Sequence, residues 1–327
     1  MRDIYKFTDN FEKYKSVPSK CIIKGEVTNP EISIFIPTYK RAETIAETIS
    51  SALNQIGTSL YEVVIVNNDP DGETCDTREI IESYNDKRLY YYVNQENIGL
   101  CGNWNRGLEL CRGRYVAMIH DDDVLGTWFL SSMLKAIDEN NGPLIIGVRS
   151  INFTSKNKPN FIKPEKLKYR TVTKKSFFFG RYLTIAGMTV DRERAIAIGG
   201  YSQDFYPNED TIFIYQALLK GKVINVDNEL AGYRKEVNLS LAEGTMKKII
   251  EYTEYTRRNI AEHENFAKIF MKQFDREFLY SYAEGANKGW GTDVDIDDIM
   301  REFNMPEGRP NGLKLKLMKA LCKIGRI

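Results

Sequence analysis

The sequence predicts an α/β fold: a mostly parallel sheet covered by helices on both faces, with a helical C-terminal extension. Three observations carry this. Short, near-continuous apolar runs alternate with helical patterns through the first half, as expected of strands buried on both faces. Polar clusters follow three of those runs, where ligands of such sheets collect. Beyond residue 241 the strand signals give way to long helical patterns rich in Tyr, Phe and paired charges.

Residues 1–30 carry Tyr5, Phe7, Phe11 and Tyr14 and read either as a packed extension or as a homodimer contact. Residues 32–36 are a β-rich run stopped by Pro37. A helix over 41–55 follows, from the spacing of Ile45, Ile49, Ala52 and Leu53. Residues 62–66 form a second strand, ended by a dense turn signal at 67–72. A helix near 77–83, a strand at 89–93, a turn at 94–99, a helix over 103–110 and a strand at 115–119 complete the alternation. Helices are expected over 246–272 and 275–287. The organisation is then an extension (1–30), an α/β core (31–240) and a helical region (241–327).

The last stretch, 313–326, has basic residues and no acids, with Leu313, Leu317, Ala320, Leu321 and Ile324 at helical spacing. It reads either as a packed terminal helix or as a peripheral membrane contact on an anionic surface.

Charge is balanced, 46 basic against 45 acidic residues, so no global field points to nucleic acid. Five scattered cysteines, no C-x-x-C pair and two histidines argue against a zinc site or disulfide framework. A reducing, cytoplasmic location is expected, peripheral on the inner face of the membrane if the tail binds there. The start shows no cleavable signal pattern. No apolar stretch reaches the roughly 20 residues that span a bilayer.

Function concentrates at His120, Asp121, Asp122 and Asp123, directly after the strand at 115–119. Three adjacent carboxylates repel one another unless a cation neutralises them. Oxygen ligands on a short turn suit Mg²⁺ or Mn²⁺, which can grip a diphosphate. The alternative is an acidic turn capping the next helix. Residues 37–41 lack the glycine-rich turn of a dinucleotide-binding fold, and no P-loop is present. A nucleotide would need another cradle.

In order, the segments 34–41, 62–68, 97–99, 105–107, 113–116 and 121–123 resemble the motifs of family 2 glycosyltransferases with the GT-A fold. The resemblance covers roughly residues 30–240 and lies in the order of the motifs. It implies an inverting enzyme using a nucleotide-diphospho-sugar, probed first as a UDP-sugar. The acceptor would be a glycan or lipid-linked saccharide in cell-surface polysaccharide assembly.

Site roles follow from the same resemblance. Pro37, Thr38 and Tyr39 would receive the nucleobase, and Arg41 could reach a phosphate. Asn67, Asn97 and Asn105 belong to the donor site. Asp121 would contact the ribose, Asp122 would ligate the metal, and Asp123 would stand beside it as ligand or through water. Asp210 would be the general base, with Glu209 positioning the acceptor or supporting the base. Residues 231–240 resemble a closing loop in which Arg234 or Lys235 could clamp the diphosphate.

Three positions depart from the family pattern. Asn67 stands for an aspartate, which puts base preference in question. His120 stands for the first acid of the metal motif and reads as a hydrogen-bonding group behind the ligands. Trp104 replaces an arginine and reads as core filling. Two other functions are weighed against transfer. A nucleotidyltransferase lacks support because its glycine-rich phosphate loop is missing. A non-catalytic nucleotide-sugar binder or scaffold would fit the Asn67 and His120 departures but not the retained Asp122 and Asp210.

Overall fold

The computed structural model describes residues 3–58, 60–71, 76–236 and 244–326. In chain order the elements are β1 (Ser19–Ile23), β2 (Ile32–Thr38), α1 (Ala42–Leu53), β3 (Tyr61–Asn67), α2 (Asp76–Glu82) and β4 (Leu89–Asn94). Next come α3 (Gly99–Leu110), β5 (Tyr115–Met118), β6 (Val124–Leu125), α4 (Phe129–Glu139), β7 (Ile145–Phe153) and β8 (Tyr169–Val172). Then follow α5 (Lys174–Phe178), β9 (Met188–Asp191), α6 (Arg192–Ala197), α7 (Glu209–Lys220) and β10 (Val223–Arg234). The chain closes with α8 (Thr245–His263), α9 (Asn265–Trp290), α10 (Ile296–Glu302) and α11 (Gly312–Gly325).

The strands build one sheet in the order β1-β4-β3-β2-β5-β9-β7-β10-β6, with β8 beside β10. β4, β3, β2 and β5 run parallel. β9 is inserted antiparallel between β5 and β7. The register pairs Thr38 with Asn67 and Asn67 with Val93, which aligns three carboxyl ends on one edge. β10 is long enough to pair Val124 with Gly232 through β6, bringing its last residue to the acidic turn.

Period two sorts each buried strand between two cores. Phe35, Val64, Val66, Val116 and Met118 face the side holding Trp104 and α7. Ile34, Ile36, Val63, Ile65 and Ala117 face Ile45, Ile49 and α4. Each of the Val, Ile, Phe and Met side chains among them contributes about 1.5–3 kcal/mol on burial. α3 approaches β2 closely because Gly107 has no Cβ: one there would collide with the Phe35 ring.

Two expectations are corrected. Pro37 does not stop β2, because the ladder to β5 has already ended at the Phe35–Met118 pair and no bond is lost there. The break in the C-terminal helices lies at Glu264, which is extended, and not near 273. Phe274 is buried in the aromatic core, and α9 runs straight through it.

The N-terminal segment packs on the core. Ile4 is fully buried; its amide donates to Asn259 Oδ1 (2.9 Å), and its carbonyl accepts from Gln216 (3.1 Å). The Tyr5 hydroxyl lies 2.7 Å from that of Tyr215. Among the described residues no helix is long and apolar enough to cross a membrane.

Candidate active site

A cavity of about 600 Å³ opens over the carboxyl ends of β2, β3 and β5. Pro37, Thr38, Tyr39 and Arg41 enter from the β2–α1 turn, Asn68 from the end of β3, and Asn97 and Gly99 from the turn before α3. His120, Asp121 and Asp122 follow β5, with Trp104 beside them. Tyr206, Glu209 and Asp210 also line the cavity, with Thr245 and Ile249 of α8. Tyr39 is 44 % exposed at the mouth. The turn it sits on reverses sharply because Lys40 adopts φ +53°.

The acidic turn is held from three sides. Asp123 Oδ1 accepts the Arg234 backbone N–H at 2.8 Å, and the Asp123 carbonyl accepts the Thr48 hydroxyl at 2.7 Å. Arg234 Nε donates to the Asp122 carbonyl at 2.7 Å. Asp123 Oδ2 and His120 Nε2 are nevertheless buried with no hydrogen-bond partner among the described residues. Burial, above all, lifts the Asp121 carboxyl to about 7 and the Asp123 carboxyl well above its ordinary range, and the Asp122 charge adds to both. Burial pushes His120 down, which favours the neutral imidazole with a lone pair to give. One edge of that ring stays open to the cavity (26 %).

His120, Asp122 and Asp123 can each place a ligand atom within 4.8 Å of the others. Orphaned, inward-turned donor atoms fit a divalent cation, which would relieve the repulsion. His120, expected behind the ligands, lies close enough to Asp122 and Asp123 to be one of such a group. Its Nδ1 is 4.0 Å from Asp123 Oδ2, inside the group. Arg41 Nη1 stands 3.6 Å from Asp122 Oδ2.

Glu209 and Asp210 open the first turn of α7. Burial, and then the Asp210 charge, raise Glu209 to about 8; its Oε2 has no partner among the described residues. Burial also raises Asp210, but its carboxylate accepts the Thr211 N–H, which opposes the rise. Asn208, at the N-cap, lies 2.8 Å from the Thr253 hydroxyl, so α8 fixes the start of this helix.

Three anticipated donor-site residues are not brought to the cavity. Asn67 is turned onto β4, donating to the Tyr91 hydroxyl (2.9 Å) and accepting the Asp69 N–H (3.0 Å). Asn68 takes the cavity position, bonded to Asn97 Oδ1 (2.9 Å) and the Gly99 carbonyl (3.2 Å). Asn105 brackets Tyr201, donating to its carbonyl and accepting its N–H, both at 2.8 Å. Arg234 is 3 % exposed, ion-paired with Glu47 and bonded to the acidic turn; it lines no part of the cavity. Lys235 sits 4.5 Å over the Trp290 ring. Residues 237–240 of the anticipated closing loop lie outside the described residues.

Trp104 fills the core as expected. It lines the cavity, and its indole N–H has no partner among the described residues. Asn68, Tyr206 and Tyr233 also line the cavity without having been singled out. The place of Tyr206 before the acidic pair was the available signal. For Ile185 and Ile249, which also line it, no chemical signal exists.

The model of the family described as "Glycosyl transferase family 2" matches residues 33–238. The chain belongs to this family, and its sheet with flanking helices is the GT-A arrangement seen in structural neighbours. It is 25 % identical over 242 residues to a GalNAc(5)-diNAcBac-PP-undecaprenol beta-1,3-glucosyltransferase of Campylobacter jejuni, covering 72 % of this chain and 75 % of that one. It is 26 % identical over 231 residues to an uncharacterized glycosyltransferase of Methanocaldococcus jannaschii, covering 65 % and 77 %. A crystal structure of S. aureus TarS 1-349 in complex with UDP-GlcNAc superposes with a TM-score of 0.62 at 16 % identity, covering 90 % of this chain and 88 % of that one. A mannosyltransferase from Pyrobaculum calidifontis in complex with GDP-Man and Mn²⁺ gives 0.55 at 13 %, covering 96 % and 89 %.

Proposed function

We propose that this chain transfers a sugar, with inversion, from a nucleotide-diphospho-sugar to a hydroxyl of a glycan or lipid-linked acceptor in cell-surface polysaccharide assembly. One observation carries the reading: the acidic turn and the Glu209–Asp210 pair line one and the same cavity. The Campylobacter relative, named for an undecaprenol-linked acceptor, supports the acceptor class. The TarS complex supports UDP as the first donor base to test.

Pro37, Thr38 and Tyr39 receive the nucleobase, with the Tyr39 ring packing on it. Asp121 takes the ribose, and Arg41 is placed to meet a phosphate. Mn²⁺ or Mg²⁺ held by Asp122, Asp123 and His120 would supply positive charge to the departing diphosphate. Asp210 removes the acceptor hydroxyl's proton as that oxygen attacks the anomeric carbon. The nucleoside diphosphate leaves from the opposite face, which inverts the configuration. Glu209, protonated at neutral pH, can donate a hydrogen bond to the acceptor without competing for its proton. Peripheral contact of residues 311–327 with the inner face of a membrane belongs to the same reading, because a lipid-linked acceptor presents its sugar at a bilayer.

Calorimetry with UDP, GDP and dTDP, each with and without Mn²⁺, tests this. Metal-dependent binding of one nucleotide is the expected result. No binding of any would leave a non-catalytic scaffold as the better reading.

A further inference from the structure

We infer that α11 docks the protein on an anionic lipid surface through a stripe formed by Leu313, Leu317, Leu321 and Ile324. The inference rests on the peripheral contact proposed above and names the residues that make it. It needs neither the donor nor the acidic turn.

The helix has two apolar faces, and only one is used by the fold. Leu315, Met318 and Cys322 are buried in the aromatic core beside Phe270, Phe274 and Phe278. Arg326 donates to the Phe179 carbonyl (2.5 Å), and Lys314 and Lys319 pair with Glu277 (3.1 Å) and Glu284 (3.3 Å). These contacts fix the rotation of α11. The other apolar residues therefore face away: Leu313 is 80 % exposed, Leu317 53 %, Leu321 37 % and Ile324 64 %. Spacings of four, four and three put them in one row along the helix.

The charges beside the row select its partner. Lys316 and Lys323 flank it on one side and have no ion-pair partner among the described residues. α11 carries no Asp or Glu. A second copy of this face would bring lysines against lysines, which is unfavourable. Anionic headgroups would neutralise them while the leucines enter the acyl boundary. At about 21 Å for its 14 residues the helix is too short to span a bilayer and would lie in the surface plane.

The test is flotation of the full chain with phosphatidylcholine vesicles and with vesicles also containing phosphatidylglycerol, at low and high salt and without donor. Flotation with the anionic vesicles alone, weakened by salt, is expected. Leu317→Gln with Leu321→Gln should lower the vesicle affinity on the order of tenfold or more. Lys316→Glu with Lys323→Glu should abolish the preference for anionic lipid. Both variants change exposed positions, so melting temperature and nucleotide binding should stay at the parent's values. Failure to float, or full binding by the leucine variant, would overturn the inference. So would a parent that is dimeric by light scattering and becomes monomeric in that variant without ever binding vesicles. Failed nucleotide binding with intact flotation would overturn only the transfer reading.

Discussion

The indole of Trp104 lies against the imidazole of His120, with ring centroids 5.4 Å apart and planes 23° from parallel. Tyr201 meets the indole edge-on at 5.0 Å and is itself clamped by Asn105. A chain of three residues therefore sets the ring that faces Asp123. His120→Ala should weaken Mn²⁺ binding in the presence of UDP by about 10–100-fold, read by calorimetry. Trp104→Leu keeps the imidazole but frees its rotation, and should cost less. An unchanged Mn²⁺ affinity in His120→Ala would remove the imidazole from the ligand group.

Asp210→Asn should lower transfer by about 10²–10⁴-fold while donor affinity stays near the parent's. Product formation by chromatography and UDP binding by calorimetry give the two halves. Near-parent turnover would move the base elsewhere.

Stability should fall with rising pH because of Glu209. Its carboxyl holds a proton to about pH 8 in the folded chain, against an ordinary 4.5. The contribution of the neutral form is complete below about 4.5 and is lost as pH rises to about 8. Glu254, fully buried and also raised to about 8, acts in the same direction. Glu209→Gln should flatten part of the decline in melting temperature over that window. An identical slope in parent and variant would show that Glu209 is ionised in the fold.

Arg234→Lys separates a structural role from a diphosphate clamp. Lysine keeps the charge but cannot hold both Glu47 and the Asp122 carbonyl. A loss of about 1–3 kcal/mol in stability is expected without any donor, seen in denaturant unfolding. Unchanged stability with weakened UDP-sugar binding would instead favour the clamp.

Gly107→Ala should cost about 1–3 kcal/mol, because its methyl would strike the Phe35 ring at the α3–β2 contact. Thermal unfolding measures this directly. A parent-like melting temperature would mean that Phe35 can move aside.

About half of the cavity lining is legible in the chain because it follows strand ends. Apolar runs place β2, β3, β4 and β5, and Tyr39 and Asp122 then reach one cavity, which Asp210 enters from the first turn of α7. What strand patterns do not specify is rotation. Asn67 and Asn68 are equally polar, and only the pairing of β3 with β4 decides which one meets Tyr91. Arg234 ends β10, paired with Phe153 of β7, and the neighbouring edge strand β6 that follows the acidic turn is two residues long and carries no sequence signal of its own. The burial of Arg234 against Glu47, nearly two hundred positions away, is a purely tertiary outcome. The helix break at Glu264 is equally silent, since charged residues sit on both sides of it.

Arg41 stands 3.6 Å from Asp122, so the crevice carries a tethered counter-ion of its own. A divalent ion bound at this turn would then exchange one cation for another and would not fill a bare acidic turn. Its measured affinity would include the work of moving the guanidinium aside. On loss of such an ion the same guanidinium could return to the carboxylate and quench the exposed charge, with no reorganisation of the sheet beneath it.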